Sequence, residues 1–506
     1  MTRSPRLLVG ALPLAAALLL AACSPQAEQT QGTDRAGRLH YGALAFTPCS
    51  LRAPGAGAVE AQCSTLAVPE NHDAPSGRKI DLAIAWVPSK GLAEDDPIVM
   101  IAGGPGQSAL EAYPQVDPAF ADARRNRHVI LVDARGTGKS HPLKCADEQG
   151  DSAFTDPEQQ TPDAARAFAL RCRDALSRTS DLRYYGTGDH VRDLDLVREK
   201  LGAPQLNLVG VSYGTRVAQQ YAKRHPQRTR TVTLDSVVPN TLVLGQDHAR
   251  NLETALNAQF ARCRDDAACR KNLGDPARQL EAVRTALRSG KLAPVEFRDP
   301  VTGAWRNESP QYGDLAALLR MYSYQPMVAA TLPLLLHEAA QGRYESLLAQ
   351  SRMLTDSIGE AIMHGMQLSV MCTEDAGDMR VDEADAGTVL GNELVALIVE
   401  QCKVWPKGAR AKDFRAPLTG DMPVLAISGE FDPVTPPRYG DEVVKPLRNG
   451  RHLVLPGQGH SVLGTGCMPK LFAQFIERAD AKVLDASCLE RLKPLPPFAG
   501  AYGWEP

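Results

Sequence analysis

The sequence has almost no excess of charge of either sign. Its 506 residues carry 56 Lys and Arg side chains against 59 Asp and Glu side chains, a formal net charge of −3. A protein that neutralises nucleic-acid phosphates needs a basic excess, and this chain has none. The charge balance therefore argues against nucleic acid as a partner.

Zinc-binding patterns are also missing. The sequence contains neither a C-x-x-C pair nor an H-E-x-x-H segment, two spacings typical of zinc sites. We therefore expect no metal and no cofactor. The remaining composition, 43% hydrophobic and 23% charged, is that of a globular protein with enough apolar material for a large core.

No apolar run is long enough to span a bilayer well. The longest, residues 7–20, is shorter than the roughly 20 residues that a transmembrane helix needs. It follows two arginines and precedes a stretch of small residues, which is the layout of an export signal. We predict that residues 1–22 are a signal peptide that the mature protein lacks.

The end of this segment, Leu20-Ala21-Ala22-Cys23, resembles the lipobox of bacterial lipoproteins, in which cleavage precedes the cysteine and its thiol is acylated. Cys23 is therefore the expected lipid anchor, and the membrane is expected as a partner only through it. By the same resemblance, Ser24 in place of an aspartate suggests the outer membrane, on its periplasmic side. An ordinary secretory signal with a chance cysteine is the alternative.

Cysteine usage agrees with export. The chain has 11 cysteines, and setting Cys23 aside leaves ten, an even number that could form five disulfides outside the cytosol. Pairing neighbours along the chain closes only short loops, and we expect that pairing among the many possible ones. The expected pairs are Cys49–Cys63, Cys145–Cys172, Cys263–Cys269, Cys372–Cys402 and Cys467–Cys488.

The hydrophobic pattern divides the mature chain into four parts. Residues 23–37 lack large apolar side chains and indicate a flexible tether. In residues 38–240, β-rich runs alternate with helix-like stretches, which favours a mostly parallel sheet. Residues 241–405 are mainly helical, and strand-like runs return in residues 406–506. The predicted strands are 80–87, 98–102, 128–132, 206–211, 229–234, 424–428 and 452–455.

A nucleophile is indicated at Ser212. Residues 210–214 read Gly-Val-Ser-Tyr-Gly between a predicted strand and a predicted helix, the setting of a G-x-S-x-G elbow. Such a turn exposes the serine hydroxyl and puts the N–H of Tyr213 at a helix start, where it can stabilise an oxyanion. The glycine-rich turn at residues 103–106 follows another strand and would supply a second oxyanion donor.

A serine needs a histidine to take its proton and a carboxylate to hold that histidine. Asp432 and His460 each lie in a loop just after a predicted strand, in the order Ser, acid, His of the α/β-hydrolases. Asp235, at the end of an earlier strand, is the rival acid, and Glu430 is interpreted as a supporting residue. Residues 133–140 end in Gly-Lys-Ser but lack the first glycine of a phosphate loop, so we expect no nucleotide site.

Together these segments resemble the α/β-hydrolases of the prolyl aminopeptidase and tripeptidyl aminopeptidase type. The resemblance implies a mostly parallel central sheet with helices on both faces, a helical cap inserted at residues 241–405, and a disulfide-bearing C-terminal extension. It also implies Gly104 as the oxyanion donor beside Tyr213. Ala102 and Ala134 depart from the His and Gln frequent in relatives. The matching segments, in family order, are 103–106, 133–138, 210–214, 429–436 and 457–460.

The resemblance further implies that a cap carboxylate binds the free N-terminus of a peptide, and a carboxylate is a suitable partner for an ammonium. Glu374 is the first candidate and Asp375 the second, with a solvated charge pair beside a disulfide as the alternative. We therefore predict a serine aminopeptidase acting on peptide substrates. A carboxylesterase or amidase for small non-peptide substrates is the main alternative, and a non-catalytic binding lipoprotein the remote one.

Overall fold

A computed structural model describes residues 32–33, 38–145, 161–359, 361–500 and 503. The predicted signal peptide and Cys23 lie outside these residues, as does most of the predicted tether. Within the described ranges, no helix is both long enough and apolar enough to cross a membrane.

The described chain contains one large sheet and one small hairpin. The strands are β1 Gly32–Thr33, β2 Leu39–Tyr41, β3 Leu44–Leu51, β4 Val59–Pro69, β5 Lys79–Val87, β6 Ile98–Ile101, β7 Val129–Val132, β8 Leu206–Val211, β9 Thr229–Asp235, β10 Val295–Arg298, β11 Trp305–Glu308, β12 Val424–Gly429 and β13 Gly450–Leu455.

Eleven of these strands form the large sheet in the order β1-β2-β3-β4-β5-β7-β6-β8-β9-β12-β13. The six strands from β7 to β13 are parallel to one another, and the five N-terminal strands extend the sheet by antiparallel pairing. The inner parallel strands β6, β7 and β12 are buried on both faces, as expected where helices cover both sides. The predicted α/β-hydrolase fold is confirmed, and β2 to β4 add an antiparallel part that the sequence pattern did not reveal.

Helices cover both faces of the sheet and fill the long connection between β9 and β12. They are α1 Ala109–Phe120, α2 Pro162–Leu176, α3 Thr187–Leu201, α4 Tyr213–Arg224, α5 His248–Asp265, α6 Ala267–Asn272, α7 Pro276–Arg288, α8 Tyr312–Tyr322, α9 Pro326–Ala329, α10 Leu332–Ala340, α11 Glu345–Gly359, α12 His364–Glu374, α13 Glu393–Cys402, α14 Pro437–Val444 and α15 Met468–Arg478.

The hydrophobic core has one layer on each face of the sheet. On one face, helices α2, α3 and α4 pack on the strands through side chains such as Phe168, Leu194 and Val217. On the other face, α1 and α15 contribute Tyr113 and Phe472. The sheet is thus fixed between two helical layers, and its carboxyl edge is left to carry loops.

The long connection, residues 236–423, is called the insertion below. Its first part, α5 to α11 with the hairpin β10–β11, builds a separate apolar cluster that includes Leu256, Leu319 and Leu336. Its second part behaves differently, because α12 and α13 pack with α2 into the main core. The segment predicted as one helical cap therefore contains a self-packed part and a part joined to the hydrolase core.

The structure contains the five predicted disulfides. They are Cys49–Cys63, Cys145–Cys172, Cys263–Cys269, Cys372–Cys402 and Cys467–Cys488. The fourth joins α12 to α13. Each bridge closes a loop of no more than 30 residues, so the disulfides brace local units.

Candidate active site

Ser212 lies in a sharp turn between β8 and α4. Its backbone has φ 54° and ψ −124°, a region that a residue with a side chain adopts only when its surroundings hold it there. The Ser212 N–H donates to the carbonyl of Asp235 (2.8 Å), and its carbonyl accepts from the N–H of Thr215 (2.9 Å). The strained turn is thus tied both to the neighbouring strand and to the following helix.

The two glycines of the G-x-S-x-G segment are required by close backbone approach. A Cβ at Gly210 would lie 2.4 Å from the carbonyl oxygen of Gly214, and a Cβ at Gly214 would lie 2.2 Å from that of Ile101. Either contact is far shorter than packed atoms allow. The glycines therefore let α4 start directly against the ends of β6 and β8.

The glycine-rich loop after β6 lies against Ser212. A Cβ at Gly103 would be 3.0 Å from the Ser212 Cβ, and Gly104 has φ +102°, a conformation that favours glycine. Tyr213 is the first residue of α4, where N–H groups have no acceptor within the helix. The structure thus places the segments of both predicted oxyanion donors, Gly104 and Tyr213, beside the serine.

His460 and Asp432 form a buried pair at the carboxyl edge of the sheet. The His460 Nδ1 lies 2.8 Å from the Asp432 Oδ2, and the Asp432 side chain is fully buried. Burial by itself would raise the pKa of Asp432, but the positive charge and hydrogen bond of His460 outweigh it and lower the pKa. Burial by itself would lower the pKa of His460, but the charge and hydrogen bond of Asp432 outweigh it and raise the pKa of the imidazole.

Thr435 is a functional residue that the sequence analysis missed. Its N–H donates to Asp432 Oδ1 (2.8 Å), and its hydroxyl donates to Asp432 Oδ2 (2.8 Å). The N–H of Val434 donates to the same Oδ1 (2.9 Å). These bonds fix the carboxylate in the orientation that accepts from His460. A hydroxyl three residues after an acid in a loop is the signal that could have identified it.

The rival acid, Asp235, has a different role. Its carboxylate accepts the N–H groups of Val462 (2.9 Å) and Leu463 (3.0 Å), just after His460. Burial raises its pKa to about 6, although these two N–H groups oppose the rise. Because its carbonyl also holds Ser212, Asp235 connects the serine turn to the histidine loop.

Glu430 also supports the histidine loop. Its carboxylate accepts the N–H of Gly457 at 2.7 Å, three residues before His460. Glu430 therefore lies where the sequence placed it, as a support of the loop rather than a partner of the imidazole.

The insertion reaches the histidine through Tyr324. The Tyr324 carbonyl accepts the N–H of His460 (2.8 Å), and the two rings lie edge to face with centroids 5.0 Å apart. A Cβ at Gly459 would lie 2.2 Å from the same carbonyl oxygen, so the glycine permits this contact. The sequence carried no signal for this contact, which joins segments 136 residues apart.

Glu374 lies at the end of α12 in a buried position. Its two oxygens accept from the N–H (2.6 Å) and the hydroxyl (2.8 Å) of Thr187, and that hydroxyl contacts the Tyr213 hydroxyl (2.7 Å). Burial, reinforced by the charge of Asp375, raises the pKa of Glu374 to about 7. Glu374 is thus linked to the nucleophile turn through Thr187 and Tyr213.

Asp375 is occupied by partners within the protein. It pairs with Arg216 (3.0 Å) and Arg415 (2.8 Å), and it accepts the N–H of Leu244 (3.0 Å). Its side chain has no exposed surface. A substrate ammonium would have to displace one of two guanidinium groups to reach it, so the structure gives Asp375 a bracing role between the core and the insertion.

The site has a serine on a strained turn after a central strand, and an acid and a histidine in loops after later strands. This arrangement defines a serine hydrolase of the α/β-hydrolase class. Comparison with known proteins agrees. Residues 96–323 match the family model of the alpha/beta hydrolase fold, and residues 388–488 match the model described as TAP-like protein. The chain has the α/β-hydrolase fold, and its C-terminal part is similar to the TAP-like family.

Several known proteins are similar to almost the whole chain. The serine protease Hip1 of Mycobacterium tuberculosis is 27% identical, covering 88% of this chain and 90% of its own length. The tripeptidyl aminopeptidase of Streptomyces lividans is 24% identical over 86% of this chain and 85% of its own. Carboxylesterase B of Mycobacterium tuberculosis is 27% identical over 87% and 88%.

Proposed function

We propose that the protein is a serine aminopeptidase, which hydrolyses peptides from a free N-terminus through an acyl-enzyme intermediate. The observation that carries this proposal is the arrangement around Asp235. One residue ties the strained Ser212 turn to the loop that presents His460, and His460 is hydrogen-bonded to Asp432. The likeness to a serine protease and a tripeptidyl aminopeptidase supports peptides as the substrate class.

In the proposed reaction, Ser212 attacks the carbonyl carbon of the scissile amide while His460 takes its proton. Asp432 accepts the Nδ1–H of His460, which leaves the other ring nitrogen free to act as base and stabilises the imidazolium that forms. His460 then gives its proton to the leaving amine. The first product departs and Ser212 is left as an acyl ester.

The second half of the reaction repeats this sequence with water. His460 takes a proton from water, whose oxygen attacks the acyl carbon, and Ser212 recovers its proton as the ester breaks. In both halves, the N–H groups of Gly104 and Tyr213 stabilise the oxyanion. Loss of one such donor costs about 10²–10³ in rate.

The ammonium of a free N-terminus needs a carboxylate partner in the protein. Asp375 is fully engaged with Arg216 and Arg415, so we assign the expected ammonium contact to Glu374 alone. Glu374 would accept the ammonium in exchange for one of its bonds to Thr187.

The deciding experiment measures wild type and Ser212→Ala on matched substrates. These are aminoacyl, dipeptidyl and tripeptidyl chromogenic amides with free amines, their N-acetylated counterparts, and p-nitrophenyl acetate. Ser177→Ala serves as a control, because Ser177 is an exposed residue at the end of α2. We expect activity on the free-amine amides that Ser212→Ala abolishes and Ser177→Ala leaves unchanged.

A carboxylesterase is the second candidate, favoured by the likeness to carboxylesterase B and by the burial of both predicted ammonium partners. A carboxylesterase should prefer p-nitrophenyl acetate, and N-acetylation of the amide substrates should not change that preference. That outcome would replace the peptidase proposal. Activity that survives Ser212→Ala would overturn the nucleophile itself.

We also propose that the protein is exported and anchored to the cell envelope through a lipid on Cys23. Five disulfides support an oxidising compartment. Metabolic labelling with a fatty acid should mark the wild-type chain and not Cys23→Ala. Equal labelling of both chains, or of neither, would contradict the anchor.

A further inference from the structure

Arg320 lies on the last turn of α8, in the part of the insertion that reaches His460, and some arginines of the insertion are paired with carboxylates. Arg250 pairs with Asp247, Asp382 and Asp385, and Arg306 pairs with Asp299. For Arg320, the described part of the chain offers no carboxylate within ion-pair distance, and its buried Nε has no hydrogen-bond partner there. Its positive charge is therefore not neutralised by a described residue.

This guanidinium lies one side chain away from the catalytic histidine. Tyr324 lies in the turn just after α8, and the Arg320 guanidinium interacts with its hydroxyl. Burial raises the pKa of the Tyr324 hydroxyl, and the neighbouring Arg320 charge opposes that rise. The Tyr324 ring in turn contacts the ring of His460 at 5.0 Å between centroids.

His248, at the start of α5, is the third member of this group. Burial, followed by the charge of Arg320, lowers its pKa to about 3, so His248 is neutral at physiological pH. Its pKa also responds to His460 and Asp432, which places it near the catalytic pair. His248, Arg320 and Tyr324 are each only partly buried, so none of them is sealed inside the protein.

The two carboxylates whose charges act on His248, Asp247 and Asp432, are already engaged. Asp432 accepts bonds from His460, Val434 and Thr435. Asp247 binds Arg250 (2.9 Å) and the hydroxyl of Tyr439 (2.8 Å). A partly buried cation without a counter-charge is unfavourable, so its partner is expected to come from a ligand.

We propose that Arg320 is a specificity-determining residue that binds a carboxylate of the peptide substrate. A guanidinium presents a planar fork of N–H donors that matches a carboxylate. The carboxylate could be the C-terminus of a short peptide or an acidic side chain, and both would place the negative charge beside Tyr324. The inference rests on the proposed function, since it names a feature of the peptide that Ser212 attacks.

The test compares wild type with Arg320→Gln and Arg320→Lys on paired substrates. One pair of short peptides differs only in a C-terminal carboxylate or carboxamide. A second pair, both C-terminal amides, carries Glu or Gln next to the scissile bond. Arg278→Gln is the matched control, because the Arg278 side chain is 88% exposed on α7.

We expect wild type to favour the carboxylate member of one pair by about tenfold to a hundredfold in kcat/KM, chiefly through KM. The pair that shows the preference identifies the source of the carboxylate. Arg320→Gln should abolish that preference while leaving the neutral member within about twofold, and Arg320→Lys should keep part of it. Arg278→Gln should behave as wild type.

Two results would overturn the inference. One is a wild-type enzyme that shows no preference in either pair. The other is an Arg320→Gln variant that slows charged and neutral substrates equally, because Arg320 would then only hold Tyr324 against His460. A thermal unfolding curve for each variant shows whether it is folded.

Failure of the Arg320 inference can be distinguished from failure of the proposed aminopeptidase function. If esters are cleaved in a Ser212-dependent manner and peptides are not, the aminopeptidase proposal fails. Paired p-nitrophenyl esters with and without a distal carboxylate then test Arg320 in the same way.

Discussion

Two buried aspartates lie close to His460, and exchanging each for asparagine separates their roles. Asp432→Asn keeps the volume of the side chain but removes the charge that His460 Nδ1 contacts at 2.8 Å. The amide would favour the wrong tautomer of the imidazole. In serine hydrolases this change lowers kcat by about 10⁴.

Asp235→Asn should act on stability instead. The Asp235 carboxylate accepts N–H groups of Val462 and Leu463, and an asparagine offers one oxygen where there were two. One buried N–H would then face an amide N–H₂ group, which costs about 1–3 kcal/mol of unfolding free energy. His460 would keep its bonds to Asp432 and to the Tyr324 carbonyl, so we expect kcat to fall by no more than about tenfold.

The assay measures kcat and KM on whichever substrate wild type prefers, together with urea unfolding of each variant. Asp432→Asn should be inactive and nearly as stable as wild type, and Asp235→Asn should be active and less stable. The reverse pattern, with Asp235→Asn inactive and Asp432→Asn active, would refute the assignment of Asp432 as the partner of His460.

Three further predictions concern pH and packing. Because Asp432 raises the pKa of His460, kcat/KM should fall as the pH drops through a value above the ordinary 6.5, and a limb below that value would contradict the pair. The pKa of Glu374 is about 7 in the folded protein against 4.5 ordinarily, so the folded state holds this proton more tightly than the unfolded state does. The free energy of unfolding should therefore fall by up to about 3 kcal/mol as the pH rises from 4.5 to 7. Glu374→Gln should flatten that part of the urea-derived profile, and an unchanged slope would refute the shift. Gly214→Ala should lower unfolding free energy by more than about 1 kcal/mol, because its Cβ would meet the Ile101 carbonyl at 2.2 Å. Gly188→Ala on α3, where nothing lies within 4 Å, is its control and should be neutral or stabilising, so equal effects would contradict the packing argument.

The sequence by itself determined the features that depend on local pattern. The strand predicted at 206–211 is β8, and the others lie within about two residues of observed strands, because fully buried parallel strands are continuous apolar runs. The disulfide pairs followed from short spacing along the chain. The glycines around Ser212 were recognisable because a sharp strand-to-helix turn admits no side chain there.

Strands β2 to β4 were missed for the opposite reason. They alternate exposed and buried residues at one side of the sheet, and β3 and β4 each contain a proline. Their pairing with one another and with β5 makes them strands, and that pairing is a property of the sheet rather than of the segments.

Only the tertiary structure decided which partner each charged side chain binds. Asp235, Asp375 and Asp432 are all aspartates beside apolar segments, and nothing local tells which binds backbone N–H groups, which binds arginines and which binds His460. The contacts of Tyr324 with His460, and of Arg320 with Tyr324, likewise depend on how the insertion lies over the sheet. Such contacts join residues far apart in sequence, and burial then makes each pairing, or its absence, count energetically.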